Sequence, residues 1–173
     1  MTRAALGGWQ ANTIVTLQTG LPYNVYLDND QANIGQPNGN VQRPNLLHTP
    51  AANCSTSFYI KNSGASCIDG SAFEYPEQFT FGNSRRNPLY GPGMELVNAS
   101  VFKNFPIWER VSFQFRAEAG NLFNHPTLAN PNSDMQGGWV ASDPTTWGDF
   151  GTTTSTRNGT SSRALQLAGK LVF

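Results

Sequence analysis

The sequence is poor in charge, and the few charges that it carries are balanced. Only 13% of its 173 residues are charged, with 11 basic and 11 acidic side chains, which is about half the charged fraction of an average globular domain. This balance argues against a nucleic-acid-binding surface and against a basic membrane-surface patch. Polarity comes instead from Asn, Thr, Ser, Gln and Gly, and the 17 glycines and 11 prolines indicate many turns and long loops.

Long apolar runs are also missing. No run approaches the roughly 20 residues that a membrane-spanning helix requires, and the opening MTRAALGGWQ lacks the apolar core of a signal peptide. The two cysteines, Cys54 and Cys67, lie in one polar segment, where we expect a local disulfide and therefore an oxidising compartment. Two unpaired thiols are the alternative, and two cysteines without a His partner make a poor zinc site. One interpretation of a disulfide of the exported type without a signal peptide is that the chain is a piece of a longer exported protein.

What the sequence does contain is a set of segments in which apolar and polar residues alternate. The four clearest are 8-GWQANTIVTLQTG-20, 95-ELVNASVFKNF-105, 111-VSFQFRAEAG-120 and 163-RALQLAGKLVF-173. A helix would scatter these apolar residues around its circumference, so period two predicts strands. We predict an all-β fold for the single segment 1–173, with about four long antiparallel strands, long loops and very little helix.

The alternation gives each predicted strand an apolar and a polar face. The apolar face is predicted to carry Val111, Phe113, Phe115, Leu165, Leu167, Leu171 and Phe173. The polar face is predicted to carry Gln114, Arg116, Glu118 and Lys170. On that polar face we expect Arg116 and Glu118 to form a charge ladder with Lys170 or with other residues.

The connections between these strands alternate between long and short. Residues of about 28–93 and 124–162 are predicted to be long irregular loops, whereas 105-FPIWE-109 is predicted to be a tight turn. A strand that crosses a bilayer needs about 9–11 residues, and outer-membrane barrels combine long extracellular loops with short periplasmic turns. The pattern therefore predicts a partial barrel sheet, with its apolar face toward lipid and its polar face toward the barrel interior. An amphipathic sheet of a soluble sandwich is the alternative.

Few residues offer catalytic or metal-binding chemistry. Glu74 and Glu77 are the candidates for a glycosidase carboxylate pair, although two solvated charges are the simpler interpretation. Asp28 and Asp30 supply oxygens of the kind that bind calcium, but the rest of an EF-hand pattern is missing. We therefore expect no metal and no cofactor, and we lean against an enzyme.

Two further groups of residues lie in the predicted loops. Trp139 and Trp147 are candidates for stacking on a sugar, or they simply pin the loop. His48 is expected to be exposed, and His125 is expected to be a turn residue in NHP.

One long stretch resembles a known family. The segment 99-ASVFKNFPIWERVSFQFRAEAGNLFNHP-126 is similar to the end of the Oar-like TonB-dependent outer-membrane receptors of the acidobacterial type. Further similar pieces follow the family's order: 8-GWQANTIVTLQTGLPYNV-25, 43-RPNLL-47, 81-FGNSRRNPLYGPG-93 and 150-FGTTTSTRN-158. The closing 163-RALQLAGKLVF-173 resembles the family's last strand, so the resemblance covers nearly the whole chain.

The resemblance implies a non-catalytic C-terminal barrel segment of a transporter in the bacterial outer membrane, made as part of a longer precursor. Such receptors hold a plug domain inside a barrel of about 22 strands and import scarce substrates with energy passed from the inner membrane. The implied partners are the rest of the barrel and its plug, the outer membrane with its barrel-assembly machinery, and a sugar or peptide ligand. Nucleic acid is not among them.

About four strands do not close a barrel, and open sheet edges need a partner. If the chain exists alone, the alternatives are a soluble β-domain that binds or hydrolyses carbohydrate, or a strand-exchanged assembly such as a homo-oligomer.

Overall fold

A computed structural model of the chain describes residues 7–36, 42–160 and 162–173. Its strands are β1 (Trp9–Gln18), β2 (Pro22–Tyr23), β3 (Tyr26–Leu27), β4 (Asn45–Leu46), β5 (Phe73–Glu74), β6 (Leu89–Tyr90), β7 (Met94–Trp108), β8 (Val111–Gly120), β9 (Asp134–Met135) and β10 (Ala164–Val172). The described helices are α1 (Thr56–Lys61) and two 3-10 turns, Gly70–Ala72 and Pro144–Thr146. The prediction of an all-β fold with little helix is confirmed. Residues 1–6, on which the absence of a signal peptide was partly judged, lie outside the described residues.

The four long strands form one antiparallel sheet in the order β1-β7-β8-β10. Strands β7 and β8 are joined by a tight turn at Glu109–Arg110, and a bulge interrupts their register between Pro106 and Trp108. The predicted position of this turn, 105–109, is wrong, because residues 105–108 continue β7 and pair with β8. The outer strands, β1 and β10, are not paired with each other. The described part of the chain therefore forms an open sheet with two free edges.

By internal contacts the chain divides into two compact units. The sheet unit consists of residues 1–18, 94–127 and 159–173, and the loop unit consists of residues 19–93 and 128–158. The loop unit thus contains most of the two segments that the sequence predicted to be long loops.

The loop unit has its own hydrophobic core, although its sequence shows no sustained period. Its regular structure consists of short pairs, β2 with β6, β3 with β9 and β4 with β5. The buried apolar residues are Tyr23, Val25, Leu27, Cys54, Tyr59, Cys67, Ile68, Ala72, Phe73, Leu89, Met135, Trp139 and Phe150. Most of what we expected to be irregular loop therefore packs around one core. Its apolar residues are too far apart in the sequence to produce a periodic signal.

The NLFNHP motif after β8 is a turn built by asparagine. Asn121 and Asn124 have positive φ, at 49° and 52°, a left-handed conformation that Asn tolerates better than most residues. The Asn121 side chain accepts a hydrogen bond from the His125 amide at 3.0 Å and donates one to the His125 carbonyl at 3.1 Å. The predicted turn role of His125 is confirmed.

No helix within residues 7–36, 42–160 and 162–173 has the length and the apolar character to cross a membrane.

Candidate functional site

The register of the sheet unit aligns the predicted apolar stripes of all four strands on one face. Phe113 lies opposite Phe105 and Leu171, and Ala117 lies opposite Val101 and Leu167. Directly opposed residues in an antiparallel pair share a face. The apolar face so defined comprises Trp9, Ala11, Thr13, Val15, Leu17, Glu95, Val97, Ala99, Val101, Lys103, Phe105, Phe113, Phe115, Ala117, Ala119, Leu165, Leu167, Gly169 and Leu171.

This apolar face is exposed across the sheet. Leu17, Leu165 and Leu167 each expose more than 70% of their surface, and Phe173, just beyond the end of β10, exposes 88%. On the opposite face the exposed large hydrophobic residues are Ile14 and Val172. Soluble monomers rarely expose a contiguous apolar patch of more than a few hundred Å². An exposed apolar face of this kind is typical of a surface that contacts a membrane or another protein.

Aromatic packing organises the middle of the apolar face. The rings of Phe105 and Phe113 stack with their centroids 6.2 Å apart. Gly169 makes room for this pair, because a Cβ at that position would lie 2.9 Å from the Phe113 ring. The glycine that interrupts the apolar stripe of β10 thus accommodates an aromatic ring from β8.

Lys103 is a charged residue on the apolar face, and sequence reasoning did not single it out. Its ammonium group lies 4.8 Å from the centre of the Trp9 ring and 5.5 Å from that of Phe105. It also donates a hydrogen bond to the Gly7 carbonyl at 2.6 Å, and only 3% of the residue is exposed. Cation–π contacts and the carbonyl compensate the charge. Extending the alternation of β7 by one step beyond Val101 would have placed Lys103 on this face.

The polar face carries the residues that we predicted there, including Gln114, Arg116, Glu118 and Lys170. Arg116 forms an ion pair with Glu118 at 2.8 Å, and its guanidinium lies 4.7 Å from the centre of the Phe102 ring. The ion pair described on this face does not include Lys170, which lies opposite Gln114 in the register. The predicted charge ladder is therefore confined, in the described residues, to Arg116 and Glu118.

In the loop unit, the indole rings of Trp139 and Trp147 stack on each other. The two ring faces in this contact are therefore covered and are not available to a ligand. Their rings stack at 5.6 Å with an interplanar angle of 16°, and Trp139 also contacts Phe150 edge-on at 5.0 Å. The Trp139 indole is buried and donates to the Phe73 carbonyl at 2.9 Å. The expectation that Trp139 offers an exposed stacking surface is wrong, because it belongs to the core. The pair instead pins the loop, which was the alternative.

Cys54 and Cys67 form the predicted disulfide, with their Cα atoms 5.0 Å apart. The bond lies beside α1, whose first turn is capped by the Ser55 hydroxyl, which accepts from the Phe58 amide at 3.1 Å. An antiparallel bridge between Ala52 and Ile68 lies just outside the disulfide. The cross-link therefore holds the helix within a small closed loop.

The candidate glycosidase residues Glu74 and Glu77 are both exposed. Glu74 ends β5, and neither glutamate lines the two cavities described for the chain. A catalytic carboxylate pair needs a defined separation across a substrate cleft, and in the described residues these two glutamates line neither of the two cavities.

Asp28 and Asp30 are engaged in hydrogen bonds of the loop unit. Asp30 accepts from the amides of Ile34 and Gly35 at 3.0 and 2.8 Å, and the Ile34 bond is the main reason that its pKa is lowered. Asp28 accepts from the Tyr75 hydroxyl at 2.5 Å. In the part of the chain that the structure describes, no three His, Cys, Asp or Glu side chains are arranged to hold a metal ion.

A further carboxylate, Asp134, was not identified from the sequence. Burial raises its pKa, and the charges of Asp149 and Asp28 add to that rise. The other predicted loop residue, His48, is exposed as expected, with its Nε2 atom 3.5 Å from the Ser71 hydroxyl.

One cavity of the loop unit has a volume of about 410 Å³. Its lining combines the apolar side chains of Tyr59, Ile60 and Leu128 with Ser63, Gly64 and residues 153–156. A smaller cavity of about 250 Å³ lies on the polar side of the sheet, beside Asn98 and Glu118. Sequence reasoning missed the larger cavity, because its walls come from segments about 90 residues apart.

A family model described as an outer membrane beta barrel domain matches residues 1–166. No match to the chain was found among curated proteins or among solved structures.

Proposed function

We propose, from the premise that this chain belongs to the family of outer membrane beta barrel domains, that it forms part of the wall and the external loops of a TonB-dependent receptor. Membership of this family supports the general role of an outer-membrane β-barrel protein. The receptor type rests on the resemblance of 99-ASVFKNFPIWERVSFQFRAEAGNLFNHP-126 and the other quoted segments.

The exposed apolar face of the four-stranded sheet carries this proposal. In lipid, backbone groups must be satisfied within the protein, and a paired sheet achieves this for every interior strand. An outward apolar band is typical of barrel walls, whereas the interior is polar. We therefore assign the face of Leu167 and Phe113 to lipid and the face of Arg116 and Glu118 to the barrel interior. The edges of β1 and β10 then pair with further strands of a larger barrel.

The lengths of the connections support one orientation. The turn at Glu109–Arg110 lies at one end of the sheet. The C-terminal ends of β1 and β8 and the N-terminal ends of β7 and β10 lie at the other end. Periplasmic turns of such barrels are short and extracellular loops are long. We assign the turn to the periplasm and the loop unit to the cell surface, where its disulfide suits an oxidising environment.

Surface labelling tests the orientation. Thr49→Cys in the loop unit and Glu109→Cys in the turn are introduced singly into the native gene, and intact cells are treated with a membrane-impermeant maleimide. Thr49→Cys is expected to react in intact cells, and Glu109→Cys only after the outer membrane is permeabilised. Labelling in the reverse order, or recovery of the protein outside the outer-membrane fraction, would contradict the proposal.

TonB dependence needs a separate experiment. Strains that lack this gene, the tonB gene or both are grown in a mixture of candidate nutrients, and the spent medium is compared. A TonB-dependent receptor leaves the same compound unconsumed in all three strains, without an additive effect in the double mutant. Normal uptake of that compound in the tonB strain would leave the barrel assignment intact but would exclude the receptor type.

A further inference from the structure

We propose that the 410 Å³ cavity of the loop unit binds an uncharged oligosaccharide. This inference rests on the proposed function, since it makes the cavity the place where a surface receptor first holds its substrate. It goes further by naming the class of that substrate.

The described residues that line the cavity are uncharged. None of their side chains is a carboxylate, an amine, a guanidinium or an imidazole. Tyr59 is the only ionisable residue of the lining; its hydroxyl donates to the Gly151 carbonyl at 2.7 Å, and burial raises its pKa. A charged ligand would lose its hydration here without gaining an opposite charge. The lining therefore favours a neutral ligand and disfavours a short peptide with charged ends.

The cavity is lined by four exposed residues with a side-chain hydroxyl: Ser63, Thr154, Ser155 and Thr156. No hydrogen bond is found for these four side-chain hydroxyls within the described part of the chain, whereas Thr153 uses its hydroxyl to donate to the Ala129 carbonyl at 3.3 Å. Each free hydroxyl can both donate and accept. A row of such groups matches a ligand that also both donates and accepts, as the hydroxyls of a sugar do.

The lining also contains apolar side chains, those of Tyr59, Ile60 and Leu128, and Ile60 is 63% exposed. A lipid chain would cover these side chains but would leave the hydroxyls of the same lining unpaired, at a cost. A sugar ring has an apolar face of C–H groups and a polar rim, so it matches both kinds of lining residue.

The cavity is also held in shape before any ligand arrives. One wall follows α1, which is fixed by its Ser55 cap and the adjacent disulfide. The other wall is tied by the bridge between Leu128 and Thr156 and by the Ala129 amide, which donates to the Ser155 carbonyl at 3.0 Å. Its volume lies within the range of roughly 300–1,000 Å³ that is usual for small-ligand sites. Preorganisation lowers the entropic cost of binding.

The test measures binding by the purified full protein in detergent, with defined probes. The neutral probes are maltohexaose, cellohexaose and xylohexaose; the charged probe is hexagalacturonate; and the peptide probe is a Gly-Ser-Thr hexapeptide. Isothermal titration is carried out on the wild type, on Thr154→Val and on Thr156→Val. Thr49→Val is the matched control, because Thr49 is an exposed threonine of the same unit and does not line the cavity.

We expect at least one neutral oligosaccharide to bind, and each cavity valine to weaken that binding about fivefold, as the loss of one ordinary hydrogen bond implies. Thr49→Val should leave the affinity unchanged. Ser63→Trp, which fills the cavity, should abolish binding while the thermal transition of the protein is retained.

Three results would overturn the inference: binding of none of the neutral probes, stronger binding of hexagalacturonate or the peptide, or neutral binding that the valine variants and Ser63→Trp leave intact. None of these results depends on TonB or on membrane orientation. A failure here is therefore distinguishable from a failure of the receptor assignment, which the labelling and uptake experiments test.

Discussion

Leu167→Arg distinguishes a sheet whose apolar face contacts lipid from a sheet whose apolar face contacts water. Leu167 is 72% exposed and is the fourth of the nine residues of β10, so it lies one residue from the centre of the strand. At about 3.3 Å per residue and a tilt near 45°, this places it only about 2 Å in height from the middle of the strand. An arginine at the bilayer midplane of a barrel costs about 2–4 kcal/mol. In water, an exposed substitution changes stability by only about 0.5 kcal/mol.

The matched control is Gln166→Arg, one residue earlier on the opposite face. Gln166 is also exposed and lies directly across from Glu118, so an arginine there gains a favourable charge and stays in the polar interior. Both variants are made in the native gene, and folded, heat-modifiable protein is quantified in the outer-membrane fraction.

A cost of about 2–4 kcal/mol corresponds to a loss of roughly 30- to 900-fold in the folding equilibrium, so Leu167→Arg should be severely depleted while Gln166→Arg stays near wild type. Equal amounts of the two variants would refute the assignment of the apolar face to lipid. Depletion of Gln166→Arg alone would show that the faces are reversed.

Three predictions concern the loop unit, with unfolding followed by tryptophan fluorescence unless another method is stated. Cys54→Ser together with Cys67→Ser should cost about 3 kcal/mol, because the disulfide closes a loop with a sequence separation of 13 and so restricts the unfolded chain; an unchanged unfolding midpoint would contradict this. The lowered pKa of Asp30 means that its contribution is present above its ordinary pKa of 3.8 and is lost as the pH falls through the lower folded value. The protection of the Ile34 amide against hydrogen exchange, taken relative to the intrinsic exchange rate at each pH, should therefore fall in acid, and Asp30→Asn should remove that pH dependence. The raised pKa of Asp134 has the opposite sign, so Asp134→Asn should stabilise the protein at pH 7 and lose this advantage below about pH 3.8; an equal effect at both pH values would argue against it.

The strands and their faces were predictable because alternation is a local property. Val111, Phe113 and Phe115 on one side, and Gln114 and Arg116 on the other, follow from a backbone in which successive side chains point in opposite directions. The disulfide was predictable for a similar reason, since two cysteines 13 residues apart in one loop have few other partners.

The loop unit was not predictable in this way. Trp139 stacks on Trp147 and contacts Phe150, while its indole reaches Phe73, 66 residues away. Nothing periodic in the sequence links these positions, so an exposed loop tryptophan and a buried one have the same local signature. The cavity between α1 and residues 153–156 was hidden for the same reason.

The sequence by itself therefore determined the strands, the division of their side chains into an apolar and a polar face, the presence of a tight turn between β7 and β8, and the disulfide. Each of these depends on neighbours within a few residues or within one short loop. Only the tertiary structure decided the register that joins four stripes into one apolar face, the burial of Lys103 between Trp9 and Phe105, and the core of the loop unit. These features depend on contacts between segments far apart in the chain, which are fixed by packing and not by local preference.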